Sequence, residues 1–349
     1  MKITINGMRC EAKKGQTILN VARANGIYIP TLCYHEKVGA AARCRVCVVE
    51  VKGSPGLVTS CSTPVADGME IYTDTPQVLD AQRFVVKLTL SSGNHDCIVC
   101  EKTGSCELQD AAYHLQLEDK DIKTAGRPPQ FDDSSAFIRF DPTRCILCGR
   151  CVEACNHVVV NRVIKVMGRG YDAHIGFDCN DPMGESSCVQ CGECTQICPV
   201  GALVSKKSIG KARFPDVKKV RTTCPYCGVG CQLDLHVKDE RIVKVTGTEN
   251  GSPNKGRLCV KGRYGYDFIY AEDRLTVPLI RENDGFREAS WDEALDLVAD
   301  KFREILETDG PDAIAGISCA RSTNEDSYQM QKLFRSVLKT NNIDHCART

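Results

Sequence analysis

The sequence has no surplus of either charge, with 45 Lys and Arg against 45 Asp and Glu. No basic field is available to hold nucleic acid or an anionic membrane, so neither is an expected partner. No apolar run approaches the roughly 18 residues that span a bilayer. Met1-Lys2-Ile3-Thr4 shows no basic start, apolar leader or twin arginine. We therefore expect a cytoplasmic protein in reducing surroundings, where a structural disulfide framework does not form. What is abundant is cysteine, at 23 of 349 residues. Without disulfides, thiols in such number read as metal ligands or redox groups. With 42% apolar residues, a chain of this length supports roughly two to four packed domains.

The first 75 or so residues read as a small α+β unit. Lys2 to Ile5 and Met8 to Glu11 flank Asn6-Gly7, a hairpin turn signal. Thr17 caps a helix expected through Asn25, and Val46 to Val51 and Met69 to Tyr72 add strand-like runs. The pattern is β-grasp-like with cysteines in its loops. A helix is expected from Gln77 to Leu90. Arg127-Pro128-Pro129 reads as a linker, after which residues 137 to 205 form two similar halves of cysteine loops and short β-prone segments. Ser205 to Arg221 carries seven Lys or Arg against one acid and reads as a solvated linker. From Thr222 a new unit runs into Trp291-Asp292-Glu293-Ala294, a helix start whose apolar face continues through Leu295, Val298, Phe302 and Leu306.

The cysteines fall into four groups. Cys33, Cys44, Cys47 and Cys61 are loop thiolates between strands, the donor set that two bridged irons need in a [2Fe-2S] centre. A zinc site is the competing reading. Ten residues separate Cys33 from Cys44, a spacing that resembles the ferredoxin domain at the front of the complex I large subunit and of iron-iron hydrogenases. His95, Cys97, Cys100 and Cys106, followed by Glu107-Leu108-Gln109-Asp110, resemble the segment of those families that holds a [4Fe-4S] cluster with one histidine. Here a single residue, Asp96, separates the histidine from the first cysteine, where those families have three.

The third group is the most specific. Cys145-x2-Cys148-x2-Cys151-x3-Cys155 is followed by Cys188-x2-Cys191-x2-Cys194-x3-Cys198-Pro199. This is the bacterial two-cluster ferredoxin run, in which the fourth cysteine of each run ligates the other cluster. Cys145, Cys148, Cys151 and Cys198 are thus expected to hold one [4Fe-4S], and Cys188, Cys191, Cys194 and Cys155 the second. Gly149 and Gly192 leave room for backbone N–H groups to approach sulfide. The fourth group is Cys224, Cys227, Cys231 and, further on, Cys259. Taken alone it also fits a zinc ribbon. Together with Tyr264-Gly265-Tyr266-Asp267 and Trp291-Asp292-Glu293-Ala294 it resembles the start of molybdopterin-dependent oxidoreductases. That resemblance implies a [4Fe-4S] at these four cysteines and places Lys261 between cluster and pterin, where its charge would stabilise the extra electron. Cys10, Cys179, Cys319 and Cys346 remain, expected as small, partly buried apolar residues.

Taken in order, the four groups resemble the N-terminal half of a cytoplasmic formate dehydrogenase alpha subunit. The complex I large subunit lacks the full crossed pair, and iron-iron hydrogenases lack a counterpart of Cys224 to Cys259. Arg321-Ser322-Thr323-Asn324-Glu325 and Asn341 to Thr349 resemble the approach to the formate dehydrogenase active site, whose metal-binding selenocysteine or cysteine would come next. The expectation is a product truncated at a selenocysteine codon, against an arbitrary boundary, with no catalytic residue inside the chain.

The resemblance implies one [2Fe-2S] and four [4Fe-4S] clusters, and a Mo- or W-bis(molybdopterin guanine dinucleotide) in the complete enzyme. It also implies formate or CO2 as substrate, and a flavin-containing, iron–sulfur NAD(P)H-oxidising subunit, a ferredoxin or a hydrogenase module as partner. The alternatives are a stand-alone electron carrier, another molybdopterin oxidoreductase or a complex I relative. The expected architecture is α+β and multi-domain: a [2Fe-2S] domain at 1–78, a His/Cys3 [4Fe-4S] domain at 79–126, a two-cluster ferredoxin domain at 137–205, a linker at 206–221, a molybdopterin oxidoreductase 4Fe-4S domain at 222–278, and the start of a molybdopterin-binding domain at 279–349.

Overall fold

The computed structural model describes residues 1–118, 131–213 and 216–347. The linker expected at Arg127-Pro128-Pro129 lies outside them. The chain divides into two compact units, residues 1–219 with 236–244, and 220–235 with 245–349.

In the first unit, Lys2–Ile5 and Met8–Glu11 form the expected antiparallel hairpin. Its turn residues Asn6 and Gly7 have φ of 49° and 79°, the left-handed pair that a tight two-residue turn requires. Lys2–Ile5 pairs in parallel with Glu70–Tyr72, and the five-stranded sheet is completed by Val48–Val51 and Val58–Thr59. Across it lies the helix Ile18–Ala24. Thr17 caps it by accepting from the Asn20 N–H, while the Asn20 side chain accepts from the Thr17 N–H. Ile3, Ile5, Ile18, Leu19, Val21, Val49 and Ile71 fill the core between helix and sheet. This is the β-grasp arrangement that the alternation of apolar residues implied.

The helix Pro76–Ser91 starts at a Thr75 cap and is tied to the sheet by Gln82, whose Nε2 donates to the Val48 carbonyl at 2.9 Å. A short turn Cys97–Val99 and a helix Glu107–His114 follow. The two halves of residues 137–205 appear as near copies. Short helices Arg150–Glu153 and Glu193–Ile197 each start from a left-handed glycine, Gly149 at φ 79° and Gly192 at φ 74°. Strand Ile138–Phe140 pairs with Leu203–Ser205, and Ile164–Met167 with His174–Phe177.

Strands Lys218–Thr223, Gln232–Lys238 and Arg241–Gly247 follow. The basic stretch expected as linker therefore ends in an exposed strand. The second unit contains the short helix Val260–Tyr264, the hairpin Leu279–Glu282 with Gly285–Glu288, and the helix Trp291–Thr308 capped by Ser290. It ends in the parallel pair Gly316–Ser318 with Ile343–His345. Its small core is Ile314, Phe334 and Leu338, against which Phe302, Ile305 and Leu306 pack. The expected apolar face of this helix is thus covered only in its C-terminal half. Leu295 and Val298 are 58% and 49% exposed, because the residues that form the core meet the helix beyond them.

Candidate metal centres

All 23 cysteines are free thiols, so each group can be examined as a donor set. Cys33, Cys44, Cys47 and Cys61 sit in and beside the β-grasp core, and Cys33, Cys47 and Cys61 are almost fully buried. They are drawn together as two hydrogen-bonded pairs. A hydrogen bond from Cys44 brings Cys33 down to about 5, and one from Cys61 brings Cys47 down to about 7. The donors Cys44 and Cys61 are correspondingly raised. Cys33 and Cys47 are thereby shifted toward thiolate, the form that binds iron.

In the second group, His95, Cys97, Cys100 and Cys106 all line one cavity of about 840 Å³. His95 Nε2 is buried and has no hydrogen-bond partner. Burial lowers the pKa of the ring, and the Thr89 and Leu90 carbonyls accept from it. Since Nε2 has no partner, those bonds belong to Nδ1. An imidazole anchored through one nitrogen to backbone carbonyl, with the other nitrogen unspent, is the form in which histidine ligates metal. The short His95-Asp96-Cys97 spacing does not prevent convergence, because the turn Cys97–Val99 curls the chain immediately after Asp96.

The ferredoxin halves repeat each other down to the backbone. Leu147 and Gln190 adopt left-handed φ of 51° and 50°, which turns each N–H back onto the cysteine two residues earlier. Leu147 N–H donates to Cys145 Sγ and Gln190 N–H to Cys188 Sγ, both at 3.4 Å. The fourth cysteine of each run lies beside thiols of the other run. Cys148 is pushed up to about 12 by burial, with Cys198 and Cys145 as its neighbouring thiols. Cys145, Cys148, Cys151 and Cys198 line one apolar-walled cavity with Phe140, Ile175 and Leu203. Cys188 has Cys191 and Cys155 as its neighbours.

In the second unit, burial raises Cys224, which has Cys259 and Cys227 beside it. Cys231 is raised likewise, with Cys224, Cys227 and Cys259 near it. The Cys224 N–H donates to the Cys231 carbonyl at 2.8 Å, closing the loop between them. Lys261 lies exposed in the helix that starts right after Cys259. Among the described residues no three His, Cys, Asp or Glu side chains converge on a single point as one metal ion would require. The donors are instead spread around cavities, and the orphaned His95 nitrogen, the inward N–H groups and the all-sulfur donor sets fit iron–sulfur clusters.

Of the remaining cysteines, two depart from expectation. Cys10 is 3% exposed and packs in the β-grasp core, but Cys179 and Cys346 are exposed. Cys319 and Cys346 directly follow the paired Ser318 and His345, which brings their Sγ atoms to 3.7 Å. Sequence spacing gave no sign of this pair, since 26 residues and a helix separate its members.

Thiol-lined cavities of this kind suit an iron–sulfur polypeptide, and comparison with known proteins says what this chain resembles. Residues 1–76 match the 2Fe-2S iron-sulfur cluster binding domain, and 82–121 the NADH-ubiquinone oxidoreductase-G iron-sulfur binding region. Residues 135–204 match the NADH-quinone oxidoreductase subunit 3 ferredoxin-like domain. The molybdopterin oxidoreductase Fe4S4 domain matches 217–271, and the molybdopterin oxidoreductase family 274–349.

YjgC of Bacillus subtilis (strain 168), provisionally named an oxidoreductase, is 38% identical across 99% of this chain. A Staphylococcus aureus (strain USA300) protein provisionally named a formate dehydrogenase is 35% identical, also across 99%. In each case the chain spans 39% of the relative's length. In a solved structure of an NAD+-reducing [NiFe]-hydrogenase, one chain is 30% identical with a TM-score of 0.56, covering 60% of this chain and 89% of that one. The chain is the iron–sulfur electron-transfer region, with the start of the molybdopterin domain, of a molybdopterin oxidoreductase homologous to formate dehydrogenase-like proteins.

Proposed function

We propose that the chain is the electron-relay portion of a Mo- or W-dependent formate dehydrogenase that interconverts formate and CO2. It would work in the cytoplasm and exchange electrons with a flavin-containing NAD(P)H-oxidising subunit, a ferredoxin or a hydrogenase module. The observation that carries the relay is that His95, Cys97, Cys100 and Cys106 line one cavity, with His95 Nε2 buried and without a hydrogen-bond partner. Formate as the substrate rests on the names of the relatives and on the run Asn341 to Thr349. The hydrogenase likeness supports a nicotinamide-linked partner.

When bound, the clusters supply one-electron sites whose potentials depend on charge, burial and hydrogen bonds to sulfur. The chain's residues set those terms. Cys33, Cys44, Cys47 and Cys61 hold the [2Fe-2S], and His95, Cys97, Cys100 and Cys106 one [4Fe-4S]. The crossed sets of Cys145 to Cys198 hold two more, and Cys224, Cys227, Cys231 and Cys259 the fourth. The N–H groups of Leu147 and Gln190 donate toward ligand sulfur. Lys261, next but one to Cys259, supplies a positive charge toward the pterin side. The domain boundaries given above, 1–78, 79–126, 137–205, 206–221, 222–278 and 279–349, are proposed with these sites.

The test is anaerobic expression of the complete reading frame with molybdate or tungstate in a selenium-competent host, followed by formate-dependent dye reduction. Dye reduction is the expected result. A protein with its full iron content that is inert to formate would overturn the formate assignment and favour an electron carrier.

A further inference from the structure

The two ferredoxin halves share their cysteine spacing and their left-handed glycine, and they differ in charge at the residue that follows it. Between the second and third cysteines of each run, directly after the left-handed glycine, stands Arg150 in one half and Glu193 in the other. Both are buried, at 1% and 2% exposure. Charged residues are seldom buried so completely unless they are paired, and each has its own partner. Arg150 Nη1 and Nη2 donate to the two carboxylate oxygens of Glu107, both at 2.5 Å. Glu193 Oε1 accepts from Lys37 Nζ at 3.0 Å.

The surroundings of Arg150 go beyond an ion pair. Its Nε is buried and has no hydrogen-bond partner, although both Nη atoms are satisfied. The thiols close enough to interact electrostatically with the guanidinium are Cys148 and Cys198, and Cys33 of the first group also feels its charge. Glu107, which holds Arg150, is next to Cys106 of the His95 group. The guanidinium thus lies within electrostatic reach of Cys148, Cys198 and Cys33, and its buried Nε–H is unspent.

We propose that Arg150 and Glu193 are potential-setting residues that make the two ferredoxin-type clusters unequal: Arg150 donates Nε–H to sulfur of the cluster at Cys145, Cys148, Cys151 and Cys198 and raises its potential, while Glu193 lowers that of the cluster at Cys188, Cys191, Cys194 and Cys155. The physical reason is that an added electron is stabilised by a nearby positive charge or sulfur-directed hydrogen bond and destabilised by a nearby negative charge. The electron therefore rests on the Arg150 side, next to the His95 and Cys33 groups, and a relay whose two halves would be degenerate by sequence repetition gains a direction. The inference rests on the reading of these sites as clusters.

The test is an EPR-monitored redox titration of the anaerobically isolated chain and its variants, with iron and sulfide measured on the same samples. Arg150→Met is expected to lower the reduced-to-oxidised ratio of one cubane about tenfold at fixed solution potential, a shift of about 59 mV for a one-electron couple. Glu193→Gln, nearly isosteric, is expected to move the other cubane in the opposite sense. Arg150→Lys should restore most of the first shift, which a merely structural role would not produce. Wild-type iron content with both potentials unmoved in Arg150→Met and Glu193→Gln would overturn the proposal. Absence of iron from the wild-type chain would instead overturn the cluster assignment itself.

Discussion

Cys100 Sγ occupies the space that a Cβ on Gly201 would need. Gly201 follows Cys198-Pro199-Val200, so the loop that ends the ferredoxin run passes directly over a thiol of the His95 cavity, which Val200 and Gly201 also line. The two sites are built against each other, and the missing side chain of Gly201 is what lets them approach so closely. Gly201→Ala is expected to displace Cys100 and cost the second site its cluster, so that iron falls by about four per chain while the other signals persist. Iron analysis with EPR checks this. Unchanged iron and an unchanged spectrum would show that Cys100 is not held there as a ligand.

His95 gives a pH-dependent expectation. Burial lowers its pKa below the ordinary value of 6.5, so the folded site keeps the neutral ring as the medium is acidified, while an unfolded chain takes up the proton near 6.5. Folding stability from this residue is therefore complete above about 6.5 and declines as pH falls below it, since the unfolded state binds the extra proton. The wild type should lose stability more steeply than His95→Cys as the pH falls below 6.5. His95→Cys should also keep its cluster at a lower potential, because thiolate brings negative charge where imidazole brings none. Thermal melts across pH and a redox titration measure both effects.

Gly149 combines a left-handed φ of 79° with a close neighbour, Arg43 Nη1 at 2.5 Å from the place of a Cβ. Gly149→Ala should cost about 1 kcal/mol or more in backbone strain and also push Arg43 off Glu153, its partner at 3.4 Å. A fall in melting temperature checks the strain. A larger fall than in Arg43→Ala separates the backbone contribution from the ion pair.

Much of this was legible in advance because the constraints are local. The Asn6-Gly7 turn, the Thr17 cap and the glycines at 149 and 192 are backbone requirements written in single residue types. The ferredoxin run's spacing also pointed to Cys198 as a neighbour of Cys148 and to Cys155 as a neighbour of Cys188. What spacing could not show is what depends on neighbours distant in sequence: the bidentate Arg150 to Glu107 pair, the passage of Gly201 over Cys100, and the adjacency of Cys319 and Cys346 on parallel strands. The helix from Trp291 shows the opposite limit. Its periodicity is clear, yet only Phe302, Ile305 and Leu306 of its apolar residues meet the small core, because periodicity reveals a face and not what covers it.

Cys319 and Cys346 yield a separate expectation. Neighbouring strands lie about 4.8 Å apart, within the Cα range a disulfide spans, and Arg321 N–H donates to Cys319 Sγ at 3.3 Å. A hydrogen bond from the Ala320 backbone, helped by one from Cys319, lowers the pKa of the exposed Cys346, which favours its thiolate. Treatment with a low-molecular-weight disulfide should oxidise this pair ahead of the ligand cysteines, giving one internal disulfide and two equivalents of released thiol. Peptide mapping by mass spectrometry identifies the linked pair. A first disulfide elsewhere would show that the two strands do not hold these thiols together in solution.

The most direct measurement of the central claim is iron, acid-labile sulfide and EPR on the 349-residue chain purified without oxygen. One [2Fe-2S] and four [4Fe-4S] clusters correspond to about 18 irons per chain with matching sulfide, and stepwise reduction should resolve five sets of paramagnetic signals. Zinc in place of iron, or iron without sulfide, would contradict the account.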